Sequence, residues 1–177
     1  MTGRQNTAQQ ARIAVEQDLE ERRGGAAQVM GFSVRVAGRV PVRLDLRNSG
    51  TTERQLGLSL GMVLVYLRTH YTARLVEQAW TEAAPLARSL TPFLAGRRRG
   101  VMATGPWSVA AMVQLGGAPK VIASLNETRP GAELPTMLRM QLGPITWDLC
   151  DATAYTAMLN GWRSAANLLA VDSPDLE

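Results

Sequence analysis

The sequence is short of most residue types that a dedicated chemical site requires. Among 177 residues there is one cysteine, Cys150, one histidine, His70, and one lysine, Lys120. A single cysteine excludes an internal disulfide, and together with one histidine it cannot supply a zinc set. The cysteine usage points to a reduced, cytoplasmic setting. No charged-then-apolar leader follows Met1 and no run of eighteen apolar residues occurs, so neither a signal peptide nor a membrane span is expected. Phosphate-cradling glycine loops, Walker motifs and metal-ligand spacings are also missing. Asp148 and Asp151 are too isolated to suggest a carboxylate pair. Cys150 has no base near it in sequence, so it is expected to be a partly exposed thiol rather than a nucleophile. His70, beside Thr69, is expected to be a polar residue at a helix start. The chain therefore reads as non-enzymatic, with no catalytic residue, metal or cofactor.

What is plentiful is arginine. Eighteen of the nineteen basic residues are arginines, a bias that a GC-rich genome produces as readily as selection for guanidinium chemistry does. Their placement is more informative. Residues 1–29 are balanced, residues 30–100 carry a net +7, and residues 101–177 a net −3, within an overall +4. Such asymmetry suggests that one half meets a polyanion, or that unlike halves associate. At this length the chain can bury roughly 70% of its unfolded surface without staples.

Two stretches share one apolar rhythm. Leu56, Leu58, Leu60, Gly61, Val63, Val65 and Leu67 fall, at an offset of 82, on Leu138, Met140, Leu142, Gly143, Ile145, Trp147 and Leu149. Trp80 and Trp162 keep that offset. Tyr71-Thr-Ala and Tyr155-Thr-Ala match at 84, which implies a two-residue indel on each side of them. The pattern reads as an internal duplication.

Taken in order, residues 7–23 form a thinly apolar helix that stops at Gly24-Gly25. Phe32, Val34 and Val36 alternate with polar residues, as do Val40, Val42, Leu44 and Leu46, which predicts a hairpin turning at Gly38-Arg39. Strands over 55–60 and 62–68 form a second hairpin at Gly61-Met62, where a type II′ turn wants glycine first. One long strand with a glycine bulge is the alternative there. Thr69 caps a helix over about 70–91, and Pro85 should kink it or end its regular part. The second half repeats the plan: Val109 to Leu115, a turn at Gly116-Gly117, Val121 to Leu125, a loop to Pro135, strands 136–142 and 145–150, and a helix over 152–170 capped by Asp151. Face parity favours setting the first hairpins 79 residues apart, although Pro41 and Pro119 would align at 78. The expected architecture is α+β, with two pseudo-symmetric ββββα modules, each an antiparallel sheet covered by its helix, behind an N-terminal helix. Its segments are an arm (1–29), a first module (30–92), an Arg-rich linker (93–101), a second module (102–170) and an acidic tail (171–177).

On the polar face of the first predicted sheet lie Arg35, Arg43, Arg47 and Arg68 with Tyr66, Met62 and Leu64. Guanidinium groups neutralise phosphates and an aromatic ring stacks on any base, worth about 1–3 kcal/mol per base. The same residues also fit ordinary surface charge. Asp45 fits the binding reading only if a flanking arginine pairs with it. Arg97, Arg98 and Arg99, between glycines, suit a phosphate backbone or a solvated linker equally. Lys120 and Arg139, with Gln114, Gln141 and Thr146, give the second sheet a sparser set. Trp80, Trp147 and Trp162 lie on apolar stripes and are expected in the core; Trp107 fits either role.

The inferred element order over residues 30–170 resembles the Whirly single-stranded DNA-binding proteins, and the single ββββα unit resembles the purine-rich-element-binding repeats and the dimeric positive cofactor four. The Whirly signature Lys-Gly-Lys-Ala-Ala-Leu is absent. The resemblance implies single-stranded nucleic acid lying across sheet surfaces, in a homo-oligomer. Ile145-Thr-Trp-Asp-Leu-Cys-Asp-Ala-Thr-Ala-Tyr155 with Trp162-Arg-Ser-Ala-Ala166 also looks like small proteins on mobile elements of GC-rich bacteria. The leading expectation is a non-catalytic single-stranded nucleic-acid-binding protein. The rival is a scaffold or assembly subunit of phage or mobile-element type working through protein contacts.

Overall fold

Among the described residues, eight strands and three helices follow one another as β1 (Phe32–Val36), β2 (Val42–Arg47), β3 (Gln55–Leu60), β4 (Val63–Leu67), α1 (His70–Glu82), α2 (Ala84–Ala87), β5 (Ala111–Leu115), β6 (Val121–Asn126), β7 (Met137–Leu142), β8 (Ile145–Leu149) and α3 (Ala152–Val171). The computed structural model describes residues 31–94, 110–128, 131 and 135–172. The helix expected over 7–23, the arginines 97–99, Trp107 and the end of the tail lie outside the described residues.

The central hairpins form as their glycines dictate. Gly61 takes φ +63° and Gly143 φ +55°, while Met62 and Pro144 stay at negative φ, the pattern of a turn with its first central residue left-handed. β3 pairs antiparallel with β4 and β7 with β8, so the single bulged strand is excluded. The helix caps hold as well. Thr69 Oγ1 accepts the Thr72 N–H at 3.2 Å and Asp151 Oδ1 accepts the Ala154 N–H at 2.7 Å. The helix expected to run to residue 91 ends at Glu82, and the four-residue α2, with Pro85 in its first turn, follows Ala83. Proline lacks the N–H that a continuous helix would use.

The outer hairpins do not form. Neither β1 with β2 nor β5 with β6 is a pair; each sheet takes its fourth strand from the other half of the chain. The sheet orders are β1-β8-β7-β6 and β2-β3-β4-β5, with β1 parallel to β8 and β5 parallel to β4. The sheets are therefore mixed, not antiparallel. Contacts beyond the strands explain the exchange. The ladder continues past β1 through Phe32 N–H to Pro144 O (2.8 Å) and Cys150 N–H to Val36 O (2.8 Å). The buried Asp151 carboxylate then takes the Gly38 N–H at 2.8 Å, fixing the turn after β1 to the cap of α3. At the other end, Thr72 Oγ1 on α1 donates to Gly117 O, 2.8 Å, in the turn after β5. Registers agree with the 79-residue spacing: Phe32 faces Ile145 as Ala111 faces Val63, and Val42 faces Leu60 as Val121 faces Leu142.

The tyrosine match at 84 does not hold structurally. Both helices run unbroken from caps 82 residues apart to Trp80 and Trp162, so compensating indels have no place. Tyr71 is 60% exposed, whereas Tyr155 is buried and its hydroxyl donates to Trp80 O at 2.5 Å. At an offset of 82 the partner of Tyr155 is Ala73, buried at the same point of the helix.

One hydrophobic core joins both sheets and both long helices. α1 and α3 lie against each other, α3 on β2, β3 and β8 and α1 on β6. Trp80, Trp147 and Trp162 are fully buried, as expected. Trp147 meets the other two edge to face at centroid distances of 6.1 and 6.4 Å, and Tyr155 stacks on Trp80 at 6.1 Å. Such pairs add about 0.5–1.5 kcal/mol each beyond area burial.

Candidate nucleic-acid interface

Strand alternation turns one side of β2-β3-β4-β5 into the core and leaves the other open. Register places Arg43, Ser59, Leu64 and Met112 in one row across the open face, and Asp45, Gly57, Tyr66 and Gln114 in the next. Arg47 follows on β2 and Arg68, two residues beyond Tyr66, just after β4. Arg43, Arg47 and Arg68 are exposed, while Leu64 and Tyr66 are half-buried. Gly57 explains how the ring sits. A Cβ there would stand 3.5 Å from both Tyr66 Cε1 and Leu64 Cδ1, so the two side chains lean over the β3 backbone where glycine leaves room. Asp45 is taken up by its neighbour: Arg47 Nε donates to Asp45 Oδ2 at 3.0 Å, with both side chains about two-thirds exposed. An ion pair so placed is worth little and opens readily. A hollow of ≈ 190 Å³ lined by Pro41, Arg43, Ser59 and Gly61 lies at the Gly61 end. Met112, 68% exposed, is a member of this face that sequence reasoning missed. The signal was available, because Met112 alternates with the buried Val113.

The expected set is thus divided. Arg43, Arg47, Tyr66 and Arg68 share one face. Arg35 is on the other sheet with Arg139, because β1 pairs with β8. There Arg35, Asp148, Arg139 and Ser124 form a row. Arg139 forks onto Asp148, Nε to Oδ1 at 2.8 Å and Nη2 to Oδ2 at 3.1 Å. That hydrogen bonding, with the attraction of the same carboxylate, raises the Arg139 pKa above its ordinary value. A guanidinium so engaged is spoken for, and Arg35 stands on the other side of the same carboxylate. Lys120 is exposed just ahead of β6. Arg97, Arg98 and Arg99 lie outside the described residues.

Cys150 is not the partly exposed thiol expected. It is fully buried with Leu94 and Met137, because the segment after α2 covers that end of the sheet. Burial pushes its pKa up to about 11, outweighing the lowering effect of Arg35. Beside it Asp151, also fully buried, accepts three backbone N–H groups: Ala154 at 2.7 Å, Gly38 at 2.8 Å and Leu94 at 2.9 Å. Both are structural groups in the geometry seen. Among the described residues no three His, Cys, Asp or Glu side chains gather to hold a metal, and no described helix is long and apolar enough to cross a membrane. An open groove of ≈ 380 Å³ beside α3, lined by Pro92, Thr153, Thr156 and Asn160 among others, holds no charged group. Comparison with family models, with curated proteins and with solved structures returned no match for this chain.

Proposed function

We propose that this protein binds single-stranded nucleic acid, without catalysing a reaction, along the open face of β2-β3-β4-β5. The observation that carries the reading is the grouping of three exposed arginines, Arg43, Arg47 and Arg68, around Tyr66 on one face, where Arg47 also balances the carboxylate of Asp45 in an exposed contact that opens readily. Each arginine offers a planar fork to a phosphate or a surface to a base, and Tyr66 offers a ring that any base can stack on. An exposed sheet face presents these groups to a flexible strand better than to a duplex groove. Arg97, Arg98 and Arg99, outside the described residues, belong to the same proposal as further phosphate contacts. Arg35, Lys120 and Arg139 belong to the second sheet, where Arg139 is held by Asp148, so the site is asymmetric between the halves. The matching strand orders and registers support reading residues 31–172 as a duplicated ββββα unit with pseudo-twofold symmetry; the helical arm before it belongs to the proposal from the sequence alone. The setting in this reading is cytoplasmic and the assembly a homo-oligomer.

Fluorescence anisotropy of a labelled single strand, titrated with protein across a salt series, tests it. Three phosphate contacts from the sheet face predict a log–log slope of at least about −2, at roughly 0.7 per phosphate and steeper by that amount for each contact that Arg97, Arg98 and Arg99 add, and weaker binding to the duplex of the same sequence. Salt-independent binding, or none at low ionic strength, would overturn the proposal. The exposed apolar side chains Met62, Phe93 and Met112 favour a second reading, an assembly subunit working through protein contacts. Light scattering of the Arg97→Ala, Arg98→Ala, Arg99→Ala variant separates the two: assembly predicts a changed particle mass, nucleic-acid binding an unchanged mass with weaker binding.

A further inference from the structure

Each sheet ends in two edge strands, and a protein that stays monomeric blunts such edges with charge, proline or bulges. β2 carries Arg43, Asp45 and Arg47; β1 carries Arg35; β6 is preceded by Pro119-Lys120. β5, Ala111–Leu115, carries none of these. It lies within the longest charge-free stretch of the sequence, residues 100–119. The Ala111 N–H donates to Met62 O at 3.0 Å, so the odd-numbered residues of β5 turn their backbone toward β4. In a parallel ladder that leaves the N–H and C=O groups of Met112 and Gln114 directed away from β4, at an edge that no strand among the described residues pairs. Met112 is 68% exposed there, with Met62, 55% exposed, and Leu64 beside it on the same sheet face.

We propose that β5 pairs antiparallel with β5 of a second copy of this chain about a twofold axis at Val113. Two features select a second copy as the occupant. The outward backbone groups are self-complementary about Val113: Met112 meets the partner's Gln114 and Gln114 the partner's Met112, each pair exchanging two hydrogen bonds. The edge is also neutral in a chain of net +4, so it brings two copies together without setting arginine against arginine. The joined sheet has eight strands, and the axis runs through it, so the faces bearing Arg43, Tyr66 and Met112 of both copies lie on one side. The pairing does not depend on nucleic-acid binding; a dimer that binds no nucleic acid would leave it standing and remove only the functional reading.

Sedimentation velocity of the full chain at tens of micromolar tests the pairing, with a monomer of 19.2 kDa as the reference. Twice that mass is expected for the unaltered protein. Met112→Lys places two ammonium groups on one face of the joined sheet and should weaken the dimer at least about tenfold, with far-UV circular dichroism unchanged and Tm lowered only by the lost association. Arg43→Glu on the opposite edge and Ile122→Lys on β6 should leave the mass at the dimer value. Across a dilution series, a monomer throughout, a dimer whose dissociation constant Met112→Lys leaves unchanged, or a dimer lost in Arg43→Glu or Ile122→Lys would each overturn the proposal.

Discussion

Replacing Asp151 by alanine tests how the two halves are held. The carboxylate is fully buried, and its three acceptor contacts reach three elements: the first turn of α3 (Ala154 N–H), the turn after β1 (Gly38 N–H) and the segment after α2 (Leu94 N–H). A hydrogen bond to a charged group is worth about 1.5–3 kcal/mol, and a helix cap alone about 0.5–2 kcal/mol. Simple addition overshoots, since Ala removes a costly buried charge and lets water enter; about 3–5 kcal/mol is the expected loss. At an m-value of about 2 kcal/mol/M the urea midpoint falls by roughly 2 M. Asp151→Asn is the sharper control. Its amide retains one acceptor oxygen, enough for the cap, but turns an NH₂ toward the Gly38 and Leu94 donors. It should recover no more than about 1–2 kcal/mol of the alanine loss. If alanine costs less than about 1 kcal/mol, or asparagine behaves as the unaltered protein, the carboxylate does not hold the exchanged strand.

Other outcomes follow from single contacts. Tyr66→Ala should weaken single-strand binding by about 1–3 kcal/mol, roughly 5- to 150-fold, without altering the salt slope, whereas Arg43→Ala should reduce that slope by about 0.7; anisotropy reads both. A Cβ at position 161 would come within 2.9 Å of Leu60 Cδ2 and 3.2 Å of Val42 Cγ1. Gly161→Ala gains about 1 kcal/mol of helix propensity, yet the stiff Val42 cannot swing away, so a net loss of about 1 kcal/mol in urea denaturation is expected. The Cys150 thiol, held at about 11, should resist alkylation at pH 9, where the unfolded chain reacts. Because its folded pKa lies above its unfolded value near 9, stability is unaffected below pH 9 and falls as pH rises from about 9 to about 11.

Local chemistry was legible in the sequence wherever one residue type decides the geometry. Gly61 and Gly143 had to lead tight turns because only glycine enters the left-handed region freely, and Thr69 and Asp151 announced their helices by having an oxygen to offer the first turn. Burial was legible through alternation: Leu56 and Leu58 went inside with Leu138 and Met140. What alternation cannot specify is the lateral neighbour of a strand. β1 satisfies its apolar face equally against β2 or β8, and the choice rests on Asp151, 113 residues from Gly38. The same limit put Arg35 on the wrong sheet. Cys150 lay on the polar side of its strand, and the return of the chain through Leu94, together with Met137 and Ala37, buries it. The Tyr71 and Tyr155 match misled because letter identity was set above helical phase: two residues on a helix are about 200° of rotation.

The most direct test of the binding face is photocrosslinking of the full protein to a single strand carrying a photoreactive uracil, with the adduct located by peptide mass mapping. The account predicts a crosslink on the peptide containing Tyr66, lost in Tyr66→Ala while stability is kept. Crosslinks on the other sheet, on α1 or on α3, with none on the peptide containing Tyr66, would contradict it.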